Sequence, residues 1–276
     1  MTTTRAGWRR TKSAMFYATL ALVSVPVLFV FYWMIVTSLK GQTSVTAYPP
    51  EFLFHPTLDN YRKVLRDTPF PSFLLNSVVV GAGATGLGLA LGLPAAYAIA
   101  KFQQRRLALI VLVTRMAPGI GYLIPWFMLF SRVGLVDTHL ALILSHLILT
   151  LPMIIWVMVP FFEDLPVSME EAALIDGCSW YGVLWHIAIP LTKPGMVAAA
   201  ILSFIFSWNN FLFALILGGD RTRTLPVAVF HFMTFEEVNW GAVAAAAMLI
   251  CLPVILLALA IQRHLVGGLT LGGVKG

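Results

Sequence analysis

Ser168-Met169-Glu170-Glu171-Ala172-Ala173-Leu174-Ile175-Asp176-Gly177 is the stretch of this sequence whose residue types and spacing best fit a specific task. The chain's two cysteines, Cys178 and Cys251, make neither a metal-ligand spacing nor a disulfide framework, and its six histidines stand singly, so metal chemistry finds no constellation here. Recognition of another surface is the remaining use for the acidic run. Ser168-x-x-Glu171 after Pro166 has the form of a capping box and predicts a helix beginning near Met169. Gly177 follows where a helix C-terminus favours a left-handed residue. Ser179 can cap a second helix from Trp180 to about Ile187, which Pro190 ends. The first helix is acidic, through Glu170, Glu171 and Asp176, so anionic headgroups repel it, while its alanines permit close approach by another protein. The second carries Trp180, Tyr181 and Trp185, which suit a membrane surface. The competing arrangement lays both helices flat on the headgroups.

A second set of residues could carry a solute. Arg115 is a charge deep inside an apolar run, where charge is costly and a functional role is the default hypothesis. Pro118 and Gly119, just beyond it, would open the backbone and expose carbonyls. Arg115 either faces a translocation cavity or a neighbouring subunit, or it snorkels to the surface. Asn209 and Asn210 beside Trp208 need partners in hydrocarbon and either bond within the bundle or meet substrate hydroxyls. Trp126 and Phe127 either pack or stack on a sugar ring. No P-loop, zinc-protease helix or nucleophile elbow is present, so neither nucleotide binding nor catalysis is expected of this chain. The 12 acidic residues all fall outside the apolar runs, which argues against an ion-driven carrier, since ion coupling uses a carboxylate at membrane depth.

The elements that must position these residues follow from composition. Of 276 residues, 59% are hydrophobic and 11% charged. A soluble surface cannot be built on so little charge, and the direct reading is an all-α, polytopic membrane protein. The net charge of +6 is a topology signal and not a nucleic-acid footprint. Six spans are expected: Met15 to about Leu39 with Pro26 as a kink, Phe73–Ala100, Leu107 to about Phe130, Thr138–Phe162 broken by Pro152, Pro194 to about Leu217, and Gly241–Ile261. No cleavable leader is expected, because the first apolar run is too long. Residues 1–14 are a basic cytoplasmic N-terminus, 40–72 an extracytoplasmic segment with a short helix from Asp59 to Leu65 capped by Thr57 or Asp59, and 73–262 a core of five spans. Within that core 163–193 is a cytoplasmic loop, and 263–276 is a glycine-rich cytoplasmic tail. Ten of the 18 lysines and arginines then lie on inner segments, seven on outer ones and Arg115 in a span, which places both termini inside. The small residues of the second span, with Gly88 and Gly92 as a GxxxG pair, mark a helix–helix face.

The order Glu171-Ala172-Ala173, Gly177, Ile187-Ala188-Ile189-Pro190 resembles the signature of permease subunits of bacterial ABC importers, with Ile189 in place of a usual leucine and Cys178 in place of a small alanine. Thr57-Leu58-Asp59-Asn60-Tyr61, Asn76-Ser77, Ala95-Ala96-Tyr97-Ala98, Trp208-Asn209-Asn210-Phe211 and the ending Gly268-Leu269-Thr270 with Val274-Lys275-Gly276 look like the carbohydrate-uptake branch, so the resemblance covers nearly the whole chain. It implies the type I ABC importer permease fold in a bacterial cell membrane, the inner one in a Gram-negative cell. It also implies a second permease chain, two ATPase subunits that bind ATP and magnesium, an extracytoplasmic binding protein, and a sugar, polyol or glycoside as cargo, with no cofactor held by this chain. The implied ATPase contact is Glu170, Glu171, Ala172, Ala173, Leu174, Asp176, Gly177 and Pro190. The expected substrate cavity is Arg115, Trp126, Asn209 and Asn210. A non-carbohydrate solute or an ion-coupled carrier is the alternative, and a membrane enzyme the most distant one.

Overall fold

The computed structural model describes residues 3–116, 118–233 and 238–271, with side chains for 12–114, 116, 118–233 and 238–259. The described regular elements are helical apart from an isolated bridge between Met233 and Val238. In chain order they are α1 (Thr3–Ser38), α2 (Gln42–Val45), α3 (Asp59–Asp67), α4 (Phe70–Lys101), α5 (Arg105–Met116), α6 (Ile120–Arg132), α7 (His139–Glu163), α8 (Val167–Ile175), α9 (Trp180–Val183), a π-turn (Leu184–Ala188), α10 (Ile189–Leu191), α11 (Lys193–Trp208), α12 (Leu212–Leu217), α13 (Leu225–Ala228), a 3₁₀ turn (Val229–Phe232) and α14 (Trp240–Leu271). The chain divides into two compact units, residues 1–68 with 229–249, and residues 69–228 with 250–276.

Among the described residues, four helices are individually long and apolar enough to cross a membrane: α1 from Lys12, α4, α7 and α14 as far as Leu259. The other two expected spans are each divided. The third stops at Met116 and restarts at Ile120, with Pro118 and Gly119 in the break, as the loss of a backbone donor and of a side chain dictates. The fifth stops at Trp208 and restarts at Leu212. Two expectations are corrected here. Pro152 does not break α7, which runs through Pro152 and Pro160, because neighbouring helices can shelter the freed carbonyls of a proline in a bundle. The last helix also does not stop at Ile261; its backbone stays helical to Leu271, so much of the supposed tail is helix. The Val274–Gly276 ending lies outside the described residues.

In the first unit α3 is pinned beneath the end of α1. Asn60 is buried, and its amide donates to the carbonyls of Ser38 at 2.9 Å and Lys40 at 2.7 Å. The Tyr61 and Ser38 hydroxyls share a hydrogen bond at 2.8 Å, and the Thr57 amide donates to Leu39. The Thr57–Tyr61 motif thereby stitches the 40–72 segment to the first helix. Neither expected cap is used: Leu58 occupies the N-cap of α3 with no side-chain bond, and the Thr57 hydroxyl accepts from the Asp59 amide at 3.1 Å. The exposed Asp59 carboxyl is held below its ordinary range, first by its hydrogen bond with the Thr57 side chain. α1 leaves its apolar side chains exposed, Leu22 at 76% for example, so lipid or a partner must cover it.

The second unit is built on α4, which packs along α7 and α11, with α11 and α5 also on α7. Hydrocarbon gives helices no hydrophobic reason to associate, so close approach has to supply the attraction. A Cβ placed on Gly88 or Gly92 would lie 2.8 Å from Ile154 of α7, which confirms the GxxxG seam. His146 Nδ1 and the Ser207 hydroxyl, both buried, bond at 2.7 Å and tie α7 to α11. Outside the bundle, Asn76 donates to the carbonyls of Arg221 and Arg223, each at 3.0 Å, and shares a bond with His139 Nε2 at 2.8 Å. Ser77 accepts from the Leu225 amide, so the Asn76-Ser77 pair holds the 221–225 segment against the bundle.

Gly92→Val should overpack the α4–α7 seam at a cost of about 1–3 kcal/mol. Gly86→Ala, where an added Cβ meets nothing within 4 Å, should be neutral or slightly stabilising. Thermal unfolding of the detergent-solubilised protein checks the contrast: a lower Tm for the first and no loss for the second.

Candidate docking site

The acidic stretch forms α8, and its start corrects the capping-box expectation. Ser168 is inside the helix. Pro166 occupies the N-cap with no side-chain bond, and its carbonyl accepts from the Met169 amide at 3.1 Å. With the helix starting early, Glu170 turns inward. It is 3% exposed, with its carboxylate taking the Tyr97 hydroxyl at 2.8 Å and the Lys101 ammonium, both from the last turns of α4. Glu170 was expected on the partner-facing side and is instead bonded to its own bundle, because a carboxylate among Tyr97, Phe162 and Ala173 requires charged or hydrogen-bonding partners. Lys101, read from sequence only as a topology signal, is the counter-ion.

Ala173 is buried in the same cluster and Leu174 packs against it, so these two also face inward. Ser168, Glu171, Ala172, Ile175 and Asp176 are exposed, and their spacing of three and four makes one outward stripe. Ile175 is 86% exposed, the most prominent apolar group on the stripe, and sequence reading passed over it. The signal was available: Ile175 stands three residues beyond Ala172 and four beyond Glu171.

Gly177 meets its expectation. Its φ is +90°, the Cys178 amide donates to Ala173 at 2.9 Å and the Gly177 amide to Leu174 at 3.1 Å. These two bonds are the Schellman closure of α8. Ser179 caps the next run by accepting from the Gly182 amide at 3.2 Å. Pro190 does not end that run. The helix widens to a π-turn over Leu184–Ala188, with the Ile189 amide donating to Leu184, five residues back, so the ladder has already shifted where the proline lacks a donor. The run ends only at Thr192, where it meets α11 at a bend of 83°. Trp180 packs edge-on to Phe102 at 5.8 Å, and the Lys101 ammonium lies 5.3 Å from the Trp180 ring centre.

The residues expected to line a substrate cavity are not brought together by these contacts. The Arg115 side chain lies outside the described residues. Trp126 packs against Phe130 with ring centres 4.7 Å apart and planes tilted by 37°, and it joins an apolar cluster with Leu123 and Phe213. Asn209 bonds back to the Ile205 carbonyl, and Asn210 accepts from the Phe213 amide to start α12, so both serve the break in the fifth segment. Trp208 donates its indole N–H to the Ile250 carbonyl of α14. A further anchor unforeseen in the sequence is Asp137, which receives the Thr222 hydroxyl at 2.7 Å, the Thr222 amide at 3.1 Å and the Arg221 amide at 3.4 Å. Burial pushes its carboxyl upward, but those donors outweigh it and hold the group below its ordinary 3.8. A depressed carboxylate contributes stability above its ordinary range and loses it as pH falls through the lowered value. No group of metal-binding side chains occurs among the described residues.

A family profile described as the inner membrane component of binding-protein-dependent transport systems matches residues 88–270, which contain α8, its cap and the run from Trp180 to Leu191 that follows. The chain belongs to this family. It is a permease subunit of a transport system, not an enzyme. A probable ABC transporter permease of Sinorhizobium fredii is 40% identical over 263 residues, covering 95% of this chain and 94% of that protein. The trehalose/maltose transport system permease of Thermococcus litoralis is 36% identical over 268 residues, with 92% and 94% covered. The sulfoquinovosyl glycerol transport system permease of Agrobacterium fabrum is 36% identical over 254 residues, with 90% and 89% covered. Among solved structures, a bacterial ABC transporter for import of the polysaccharide alginate shares the fold at a TM-score of 0.76 and 22% identity, covering 92% of this chain and 96% of that one. The type I importer permease fold is therefore that of this family member too.

Because an added Cβ at Gly177 meets nothing within 4 Å, substitution there acts through backbone strain alone. Gly177→Val should cost the closing turn about 1–2 kcal/mol. Hydrogen exchange should then show the Cys178 amide opening on the order of tenfold faster, with the α4 amides unchanged.

Proposed function

We infer that this permease imports a sugar, polyol or glycoside, working with a second permease chain, two ATPase subunits and an extracytoplasmic binding protein. The observation that carries the reading is the outward stripe of α8. It is a short helix clamped from behind and closed by a left-handed glycine, and it presents Glu171, Ala172, Ile175 and Asp176 with an apolar side chain at its centre. Such a convex ridge suits a cleft on a partner, with Ile175 as the anchor and the acids at the rim. ATP and magnesium are held by the ATPase subunits. Closure of the ATPase pair displaces α8, and the core exchanges inward-facing and outward-facing states.

In this reading six segments span the membrane: α1, α5 with α6, α11 with α12, and α4, α7 and α14. Both termini are cytoplasmic, as is loop 163–193, and the run Trp180–Leu191 lies along the inner surface with Trp180, Tyr181 and Trp185 at headgroup level. Residues 1–14 and 263–276 form the inner ends, 15–39 the first span, and 73–262 the permease core. Segments 40–72 and 218–240 form part of the surface that receives the binding protein; Glu236 and Glu237, within the second, lie outside the described residues. The carbohydrate assignment rests on relatives named for trehalose and maltose, for trehalose, for sulfoquinovosyl glycerol and for diacetylchitobiose. The break at Asn209, which is exposed, and Asn210, which is half-buried, is the place in the fifth segment where side-chain amides meet sugar hydroxyls in this reading, with Arg115 and Trp126 on the divided third segment.

Ile175→Asp should weaken the ATPase contact by about 2 kcal/mol or more, on the order of thirtyfold. Proteoliposomes holding the full complex and binding protein, assayed with a sugar and polyol panel, should lose ATP-driven uptake in this variant while the chain still inserts. Uptake by this chain alone under an ion gradient would contradict the reading.

A further inference from the structure

Glu170 is the acidic residue of α8 that the outward stripe does not use. Its carboxylate is buried between two groups of α4, the Tyr97 hydroxyl on one oxygen and the Lys101 ammonium on the other. Tyr97 and Lys101 are four residues apart and so lie one above the other on a single helix face. The next helix reaches the same turn, because Trp180 of α9 packs on Phe102 and sits under the Lys101 ammonium. Both helices of the loop therefore converge on the last turn of α4, although the chain joins them to α7 and α11.

We propose that Glu170 is a positioning residue that locks α8, α9 and the inner end of α4 into one rigid joint, so that displacement of α8 is delivered directly to α4. The remaining contacts of α8 with the bundle are apolar, through Ala173 and Leu174. Apolar contact is non-directional and resists sliding or rotation poorly. A doubly held carboxylate fixes direction, because each oxygen has its own donor and leaving it is costly in a dry site. α4 is the element to receive such a push, since it packs along both α7 and α11 and its glycine seam leaves no slack against α7. The run from Trp180 to Leu191 is the poorer route: it contains a π-turn and meets α11 at 83°.

This inference rests on the reading of α8 as the ATPase-docking helix. Its test uses the complete complex with binding protein in proteoliposomes and scores sugar taken up per ATP hydrolysed. In Glu170→Gln, which keeps the shape and removes the charge, hydrolysis should persist while uptake per ATP falls about tenfold, within the range of ordinary coupling energies. Lys101→Met should do the same from the other side. The double variant should be no worse than either single, since the two residues act as one unit. An unchanged ratio in both single variants overturns the proposal. So does a proportional loss of hydrolysis, uptake and recovered complex, which is what a merely structural pair would give, and so do additive losses in the double variant. A wild-type complex without ATP-dependent uptake would instead sink the importer reading, and that arm is scored before any variant.

Discussion

The rest of the structure depends on how one buried carboxylate is satisfied. Glu170 lies in an apolar cluster where an unpaired charge could not persist, and α4 supplies both groups that hold it, Tyr97 and Lys101. That requirement sets which way α8 faces, with the counter-ion supplied by Lys101, the last residue of α4. With Glu170 turned in, Ala173 and Leu174 follow it into the bundle. The helical period then leaves Glu171, Ala172, Ile175 and Asp176 on the outside. The outward stripe is a consequence of the buried pair.

The same logic of satisfied polar groups runs through the bundle. In a lipid environment attraction between helices comes from close packing and from hydrogen bonds, not from removal of apolar surface from water. α4 meets α7 through glycines that admit Ile154, and α7 meets α11 through the His146–Ser207 bond. Where the ladder is broken, side chains repair it: Asn210 starts α12, and the Trp208 indole reaches a carbonyl of α14. At the opposite end of α4, Asn76 and Ser77 hold the 221–225 segment while Asp137 clamps Thr222, so α4 is fastened at both ends by polar contacts.

Much of this was legible in the sequence wherever one residue type has one physical use. Gly177 could only be a left-handed cap, Ser179 after it could only start a new run, and the glycines of the second span could only mark a seam. Pro118 with Gly119 announced a break, and one is there. Legibility failed where a residue has two uses and tertiary context chooses. Ser168 and Glu171 have capping-box spacing, yet the Pro166 carbonyl can open the helix earlier, and the box becomes two ordinary helical positions. Pro190 and Pro152 read as stops, but a π-turn absorbs the first and a packed bundle shelters the second. Lys101, counted in the sequence only towards topology, hid its role as counter-ion, because charge counting cannot see which lysine has a carboxylate opposite. Glu170 and Glu171 are neighbours of the same type, and only the phase of α8 separates the one that anchors from the one that presents.

The most direct test is a distance measurement between the loop and α4 during the ATP cycle. Cys178 is exposed beside the cap of α8, and Leu91 is an exposed residue of α4. Spin labels at Cys178 and at Leu91→Cys, with Cys251 replaced by alanine, report that separation in the assembled complex by pulsed electron resonance. If α8 and α4 move as one joint, the distance distribution keeps its mean and width between the nucleotide-free and ATP-trapped states, and it shifts or broadens on trapping once Glu170→Gln is introduced. A wild-type distribution that changes between the two states would contradict the account.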